Sequence, residues 1–286
     1  MKPPFFVFAH LAKCGGITFI DVLHKNLEKR FYHDYGLLQD YQYTCEQMAR
    51  IIALYPRYDA IASHRYSFDL PFDDPACPRT VHALAFVRDP VERTLSHYFF
   101  SRRRAGVDTL PVHLDLVSYF EEFDREPGLL PNYKNGQVRR LAGSGGLPRI
   151  EELIRAGHAS VFPLHRFDDA MLVLEARFPK NFPDCAYHQV RNRTERGQLV
   201  PDPVRQLIAR HQDADFALVR LAEQELDTQL LRFYPDPATL QAKRTDFAKR
   251  KKASLDEARY HAPSRLDQFK EWLSAERLPA QKVSAK

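Results

Sequence analysis

Lys13, Gly15, Gly16 and Thr18 are the first residues whose types and spacing could do chemistry. They lie in the stretch HLAKCGGITFIDVL, directly after the apolar run Phe5-Phe6-Val7-Phe8. A turn between a strand and a helix leaves backbone N–H groups open at the helix start, and the helix dipole makes that end attractive to an anion. Two glycines let the backbone come close to such an anion, a threonine adds a hydroxyl in the first turn, and a lysine adds a mobile positive charge. The ATP-binding loop reads G-x-x-x-x-G-K-[ST], with its lysine after the glycines. Here the lysine comes first and the loop is shorter, so it wraps one phosphate rather than a triphosphate. Asp89, the acidic residue after a later strand, is flanked by Arg88 and Pro90 and makes a poor Mg²⁺ partner. By itself the segment fits a packed strand–turn–helix corner as well as a phosphate site.

The segment FVRDPVERTLSHYFFSR, residues 86–102, is more specific. Arg88 stands at a strand end and Ser96 about two turns into the next helix, a fork of donors and a short hydroxyl suited to a second phosphate. Asp89 and Arg93 can pair to brace the turn between them.

Together the two segments resemble the PAPS-dependent sulfotransferases, closest to the carbohydrate branch of heparan sulfate and uronyl 2-O-sulfotransferases. The family loop K-x-G-G-x-[ST] is matched by Lys13, Gly15, Gly16 and Thr18. Its R-D-P-x-x-R-x-x-S-x-Y segment is matched by Arg88, Asp89, Pro90, Arg93, Ser96 and Tyr98. ASHRYSF (62–68) is similar to the family's G-H-x-x-[FY] segment, with His64 at the histidine. NGQVRRLAG (135–143) is similar to N-x-Q-x-R-x-L-x-G, and FDDAMLVLEARF (167–178) and NRTERG (192–197) to later segments. The likeness spans roughly residues 4–233. It departs from the family at Ala62, where uronyl enzymes carry a second histidine, at Ser63 for a glycine and at Ala12 for a common proline.

The resemblance implies a P-loop-like sulfotransferase fold and a PAPS-dependent O-sulfotransferase moving a sulfuryl group from 3′-phosphoadenosine-5′-phosphosulfate to a carbohydrate hydroxyl. The acceptor would be a glycan, glycolipid or glycoside, neutral or anionic. Lys13, Cys14, Gly15, Gly16, Ile17 and Thr18 would hold the 5′-phosphosulfate, and Arg88 and Ser96 the 3′-phosphate. Arg191, Asn192 and Thr194 would close over the nucleotide. His64 would be the general base and Lys13 would neutralise leaving-group charge. Arg65, Tyr98, Arg102, Tyr133 and Arg139 are the candidate acceptor contacts, with Arg103, Arg104 and Arg140 as further cations. A thiolate role for Cys14, which a helix N-terminus would favour, is set aside because related loops vary at that position. Two other readings stay open. One is an ATP-dependent small-molecule kinase of similar architecture, the other a non-catalytic binder of anionic glycans.

The elements that must position these residues alternate. Strands are expected at 5–9, 58–63, 81–87 and 160–164 from short apolar runs. Helices are expected at 18–29, 91–103, 116–123, 133–141, 148–156 and from Asp168 as cap to about 178, with one or two more in 203–233. That alternation predicts a parallel α/β sheet flanked by helices. After Tyr234-Pro235-Asp236-Pro237 a basic run, AKRTDFAKRKK, precedes a segment where Ser264 could cap a terminal helix. The reading is a sulfotransferase domain over 1–237 and a basic helical appendage over 238–286. The appendage is expected to dock on the core, with contact to another subunit or an anionic surface as alternatives.

Composition is that of an ordinary globular protein. In 286 residues, 44% are hydrophobic and 28% charged, with net charge +5. That balance suits an anionic ligand and is too mild to imply nucleic acid. No metal is expected, because the histidines and cysteines lack ligand spacing. No apolar run reaches the roughly 18 residues of a membrane span. The four scattered cysteines and the absence of a leader pattern point to the cytoplasm. Oligomeric state is left open.

Overall fold

The run PFFVFA forms β1 (Pro4–Ala9), buried on both faces from Phe5 onward, which is what a strand needs at the centre of a parallel sheet. The computed structural model describes residues 2–34, 42–103, 115–125, 134–187 and 200–257. The chain continues from β1 into α1 (Gly16–Leu27), β2 (Phe31–His33), α2 (Cys45–Leu54), β3 (Ala60–Ser63), β4 (Thr80–Val87), α3 (Pro90–Arg103), α4 (Leu116–Arg125), α5 (Gly136–Ala142) and α6 (Gly146–Arg155). β5 (Ala159–Pro163), α7 (Phe167–Arg177), α8 (Asp202–Ala209), α9 (Asp213–Phe233) and α10 (Pro237–Glu257) complete it.

The five strands are parallel in the order β2-β3-β1-β4-β5. From β1 the chain crosses to the edge strand β2, returns to β3 beside β1, and then passes to the other side of β1 for β4 and β5. β1 therefore lies at the switch point, where open α/β sheets hold ligands beyond the carboxyl ends of their strands. α1 packs along β2 and β3, and α7 and α9 pack on β5. A second, smaller core joins α3, α4 and α8 through Val91, Leu95, Tyr98, Tyr119, Phe120, Val204 and Ile208.

The expected strands and helices are present with shifted ends, and 203–233 divides into α8 and α9. The start expected at 133 precedes the described part of α5. β2 and α2 were not expected. β2 is three residues of FYH, too short and too polar to stand out. α2 starts at a capping box, with Thr44 accepting from Gln47 N–H and Gln47 accepting from Thr44 N–H. Asp168 does not cap α7. Arg166 occupies that place, and the Asp168 carboxylate accepts from Tyr187 and Lys251.

The basic run folds as α10 and lies against α7. Phe247 is 1% exposed, while Arg244 pairs with Asp169, Arg250 with Glu175, Asp184 and Asp246, and Lys251 with Asp168. Burying one phenylalanine contributes about 2–3 kcal/mol, against about 0–1 for each partly exposed pair. Phe247 is therefore the main anchor, and the pairs set the register. Ser264 and the rest of the tail lie outside the described residues. Among the described residues no helix is long and apolar enough to cross a membrane.

Candidate active site

The turn after β1 carries two left-handed residues. Gly15 has φ 75° and Lys13, which has a Cβ, has φ 67°. A side chain in that region is strained by roughly 1–2 kcal/mol. Strain of this kind persists where the surroundings enforce it and clusters at functional sites. The turn is closed by Cys14 N–H on Leu11 O and by Thr18 N–H on Gly15 O. Gly15 caps α1 with no side-chain acceptor, and with Thr18 and Phe19 N–H on Gly15 O it is the N–H groups of Gly16 and Ile17 that a ligand could use. Ile17 is 39% exposed, so it can serve an anion only through its N–H, while Thr18 is buried in the first turn. Lys13 Nζ lies 4.2 Å from the centroid of the Phe100 ring on α3.

The glycines have reasons beyond the anion. A Cβ on Gly15 would collide with Leu164, and one on Gly16 with the ring edge of His10. Packing therefore requires a glycine at position 16 whether or not an anion approaches it. Its missing side chain makes room for a histidine.

Cys14 points away from any ligand. It is 1% exposed, its thiol faces Gln137 Oε1 at 3.5 Å, and burial pushes its pKa up to about 11. As a binding residue it is corrected to an inward-packed side chain, and its N–H is spent on the turn.

Arg88 follows β4 and stands against the turn, with Nη1 3.5 Å from Lys13 O and Nη2 3.6 Å from Glu92. Ser96 is buried on α3. Asp89 Oδ1 accepts from Glu92 N–H and so caps α3, while Arg93 Nε donates to Ala12 O across the turn. Arg93 thus braces the first loop, a long-range task that a local pairing with Asp89 did not foresee.

His64 follows β3 and completes the cluster. The register Ala9↔Ser63 brings the residues after β1 and β3 side by side, and His10 N–H donates to Ser63 O. His64 Nδ1 lies 2.6 Å from His10 O. A carbonyl only accepts, so Nδ1 carries the proton and Nε2 is left with its lone pair. Burial holds the His64 pKa below its usual value, the bond to His10 opposes that shift, and Arg140 adds to it. At neutral pH the ring is an uncharged base. Arg140 is drawn in as well, its guanidinium donating to His64 O.

Two buried residues join these parts. Gln137 on α5 donates to Arg88 O and accepts from Arg88 N–H, at 2.8 and 2.9 Å, besides meeting Cys14. Asp215 on α9, 0% exposed, accepts the N–H groups of Gln137 and Val138 at 2.8–3.1 Å. Burial raises the Asp215 pKa, and those N–H groups oppose the shift. The chain Asp215–Gln137–Arg88 therefore ties the first turn to the end of β4. Gln137 stood in a quoted motif without a role, and Asp215 had no local signal.

The acceptor contacts divide. Tyr98 is corrected. It is 0% exposed, packs against Tyr119 and Phe120, and takes a hydrogen bond from Arg102 on its hydroxyl. Arg102 and Arg139 are exposed. Arg65, next to His64, lies 4.1 Å from the Tyr43 ring and 3.9 Å from Asp34. Arg104, Tyr133, Arg191, Asn192 and Thr194 lie outside the described residues.

The ends of β1, β3 and β4 thus bring together an open helix N-terminus, Lys13, Arg88 and a neutral imidazole. Compared with known protein families and curated proteins, the chain matches none.

Proposed function

We propose that this protein is a PAPS-dependent O-sulfotransferase acting on a carbohydrate hydroxyl. The observation that carries the reading is the juxtaposition at the switch point of an anion-binding turn and a histidine whose Nε2 is free to accept a proton. The cradle fits a phosphosulfate: the N–H groups at the start of α1 and the Thr18 hydroxyl suit its phosphate, and Arg88 and Ser96 suit a second phosphate. When bound, PAPS supplies an activated sulfuryl group. Lys13, on its flexible stem, offsets negative charge growing on the oxygen that leaves. His64 Nε2 takes the proton of the attacking hydroxyl, its ring held by His10 O. Arg65, next to His64, and the exposed Arg139 would favour an acceptor glycan that already carries negative charge. The four free cysteines favour a reducing cytoplasm.

Calorimetry with 3′,5′-ADP and with ATP tests the donor, and a labelled-PAPS transfer screen over uronate glycans, glycolipids and glycosides tests the acceptor. Binding of 3′,5′-ADP, lost in Arg88→Ala, is the expected result. Tight ATP binding with no response to 3′,5′-ADP overturns the reading in favour of a kinase. Nucleotide binding with no transfer to any acceptor leaves a glycan binder.

A further inference from the structure

His10 follows β1 and lies beside the base. It is 8% exposed, and its Nδ1 finds no hydrogen-bond partner among the described residues. Its ring makes flat contacts instead. It stacks on His64 with centroids 4.0 Å apart and planes at 26°, and on Phe8 at 5.5 Å and 17°. Phe8 is fixed in turn by edge contacts with Phe19 of α1 and Phe86 of β4. The edge of the His10 ring rests against Gly16, the first residue of α1. His33 of β2 stands 6.4 Å away, and Arg140 of α5 meets His64 through its carbonyl oxygen.

A buried ring nitrogen without a partner costs free energy that an apolar ring of the same shape would not. What His10 contributes is therefore the face and edge of its ring. One hydrogen bond, from Nδ1 to His10 O, leaves the His64 ring free to tip about that bond, whereas a stacked neighbour fixes its plane. Misplacing a catalytic group by about 1 Å costs on the order of 10²-fold in rate.

We propose that His10 is a positioning residue: its ring, seated on Gly16 and stacked on His64, sets the distance and tilt between the anion-binding turn and the base. The proposal rests on the sulfotransferase reading for its kinetic consequence and on the ring geometry alone for its structural one.

The test uses the full chain with ¹⁵N-labelled histidine, comparing wild type, His10→Ala, His10→Phe and His10→Gln. Long-range ¹H–¹⁵N spectra read the His64 tautomer and need no acceptor. Wild type and His10→Phe are expected to show His64 protonated on Nδ1 alone, while His10→Ala and His10→Gln populate both tautomers. In transfer assays His10→Ala is expected to lose about tenfold or more in kcat, with the KM for PAPS and the affinity for 3′,5′-ADP within about twofold, and His10→Phe to recover most of the rate. Unchanged tautomer and kcat in His10→Ala overturn the proposal, as does a loss in His10→Phe equal to that in His10→Ala. If His10→Ala fails to fold by circular dichroism, the Phe and Gln variants carry the same comparison. If wild type transfers no sulfate to any acceptor, the sulfotransferase reading fails while the spectra still decide the stack.

Discussion

Two groups of basic residues in this protein meet different partners. On the α10 flank, Arg244, Arg250 and Lys251 face carboxylates of α7 and of the stretch after it, so charge meets charge. At the carboxyl ends of the strands, Arg93, Arg140 and Arg88 reach backbone carbonyls of Ala12, His64 and Lys13. A carbonyl occupies a donor without supplying a countercharge, and of these three Arg88 also lies 3.6 Å from Glu92. The first arrangement fastens a helix. The second braces a turn, and under the proposed function its cations would serve an anionic ligand. The longest basic run in the sequence is therefore structural along α10, while the arginines at the strand ends come from two separate segments, 86–102 and 135–143.

The largest expected effect belongs to the strand ends. His64→Ala should lower kcat for sulfate transfer by about 10²–10⁴-fold and leave 3′,5′-ADP affinity unchanged, whereas Arg250→Ala should leave both unchanged. Equal losses in the two variants would dissolve the contrast. Asp215→Ala comes next. It strands buried N–H groups of Gln137 and Val138 and should cost about 3 kcal/mol in denaturant unfolding, together with weaker 3′,5′-ADP binding as Gln137 releases Arg88. Loss of stability with unchanged nucleotide affinity would show that the network does not hold the site.

Gly16→Ala forces a methyl group into the His10 ring and should cost about 1–3 kcal/mol of stability, with a fall in kcat. A neutral outcome would mean the ring has room to move. Acid stability follows from the buried imidazoles. Burial takes His82 down to about 3 from 6.5 and holds His64 and His10 below their usual range. As pH falls below 6.5, the unfolded chain binds protons that the folded chain refuses, so stability drops with acid. Each such group adds up to about 1.4 kcal/mol per pH unit. His82→Phe should flatten that slope between pH 6.5 and 4 in urea titrations, and the transfer rate should rise with pH through a midpoint below 6.5, set by His64. The smallest effect is on the flank, where Arg244→Ala should cost less than about 1 kcal/mol in a thermal melt. A larger loss would make the ion pairs, rather than Phe247, the anchor of α10.

Much of the fold was legible because its signals are local. Short apolar runs alternate with amphipathic stretches, and the strands expected at 5–9 and 81–87 are present at Pro4–Ala9 and Thr80–Val87 in a parallel sheet. Three-residue β2 carries too few positions for a pattern. The glycine turn, Arg88 and His64 were legible as residues at strand ends, since each follows an apolar run. Tyr98 was misjudged because a helix position cannot reveal that Tyr119 and Phe120 cover it.

Sequence alone determined most of the elements and singled out the glycine turn and the candidate base, each of which depends on residues close together at one strand end. Tertiary structure decided which of those residues meet. The parallel register of β1 and β3 sets His10 beside His64, the return of α5 and α9 puts Gln137 and Asp215 beneath Arg88, and α10 uses its cations on α7. Such pairings are set by strand order and packing across more than 50 residues of chain, as between His10 and His64, and a long-range contact leaves no period or motif in the segments that make it.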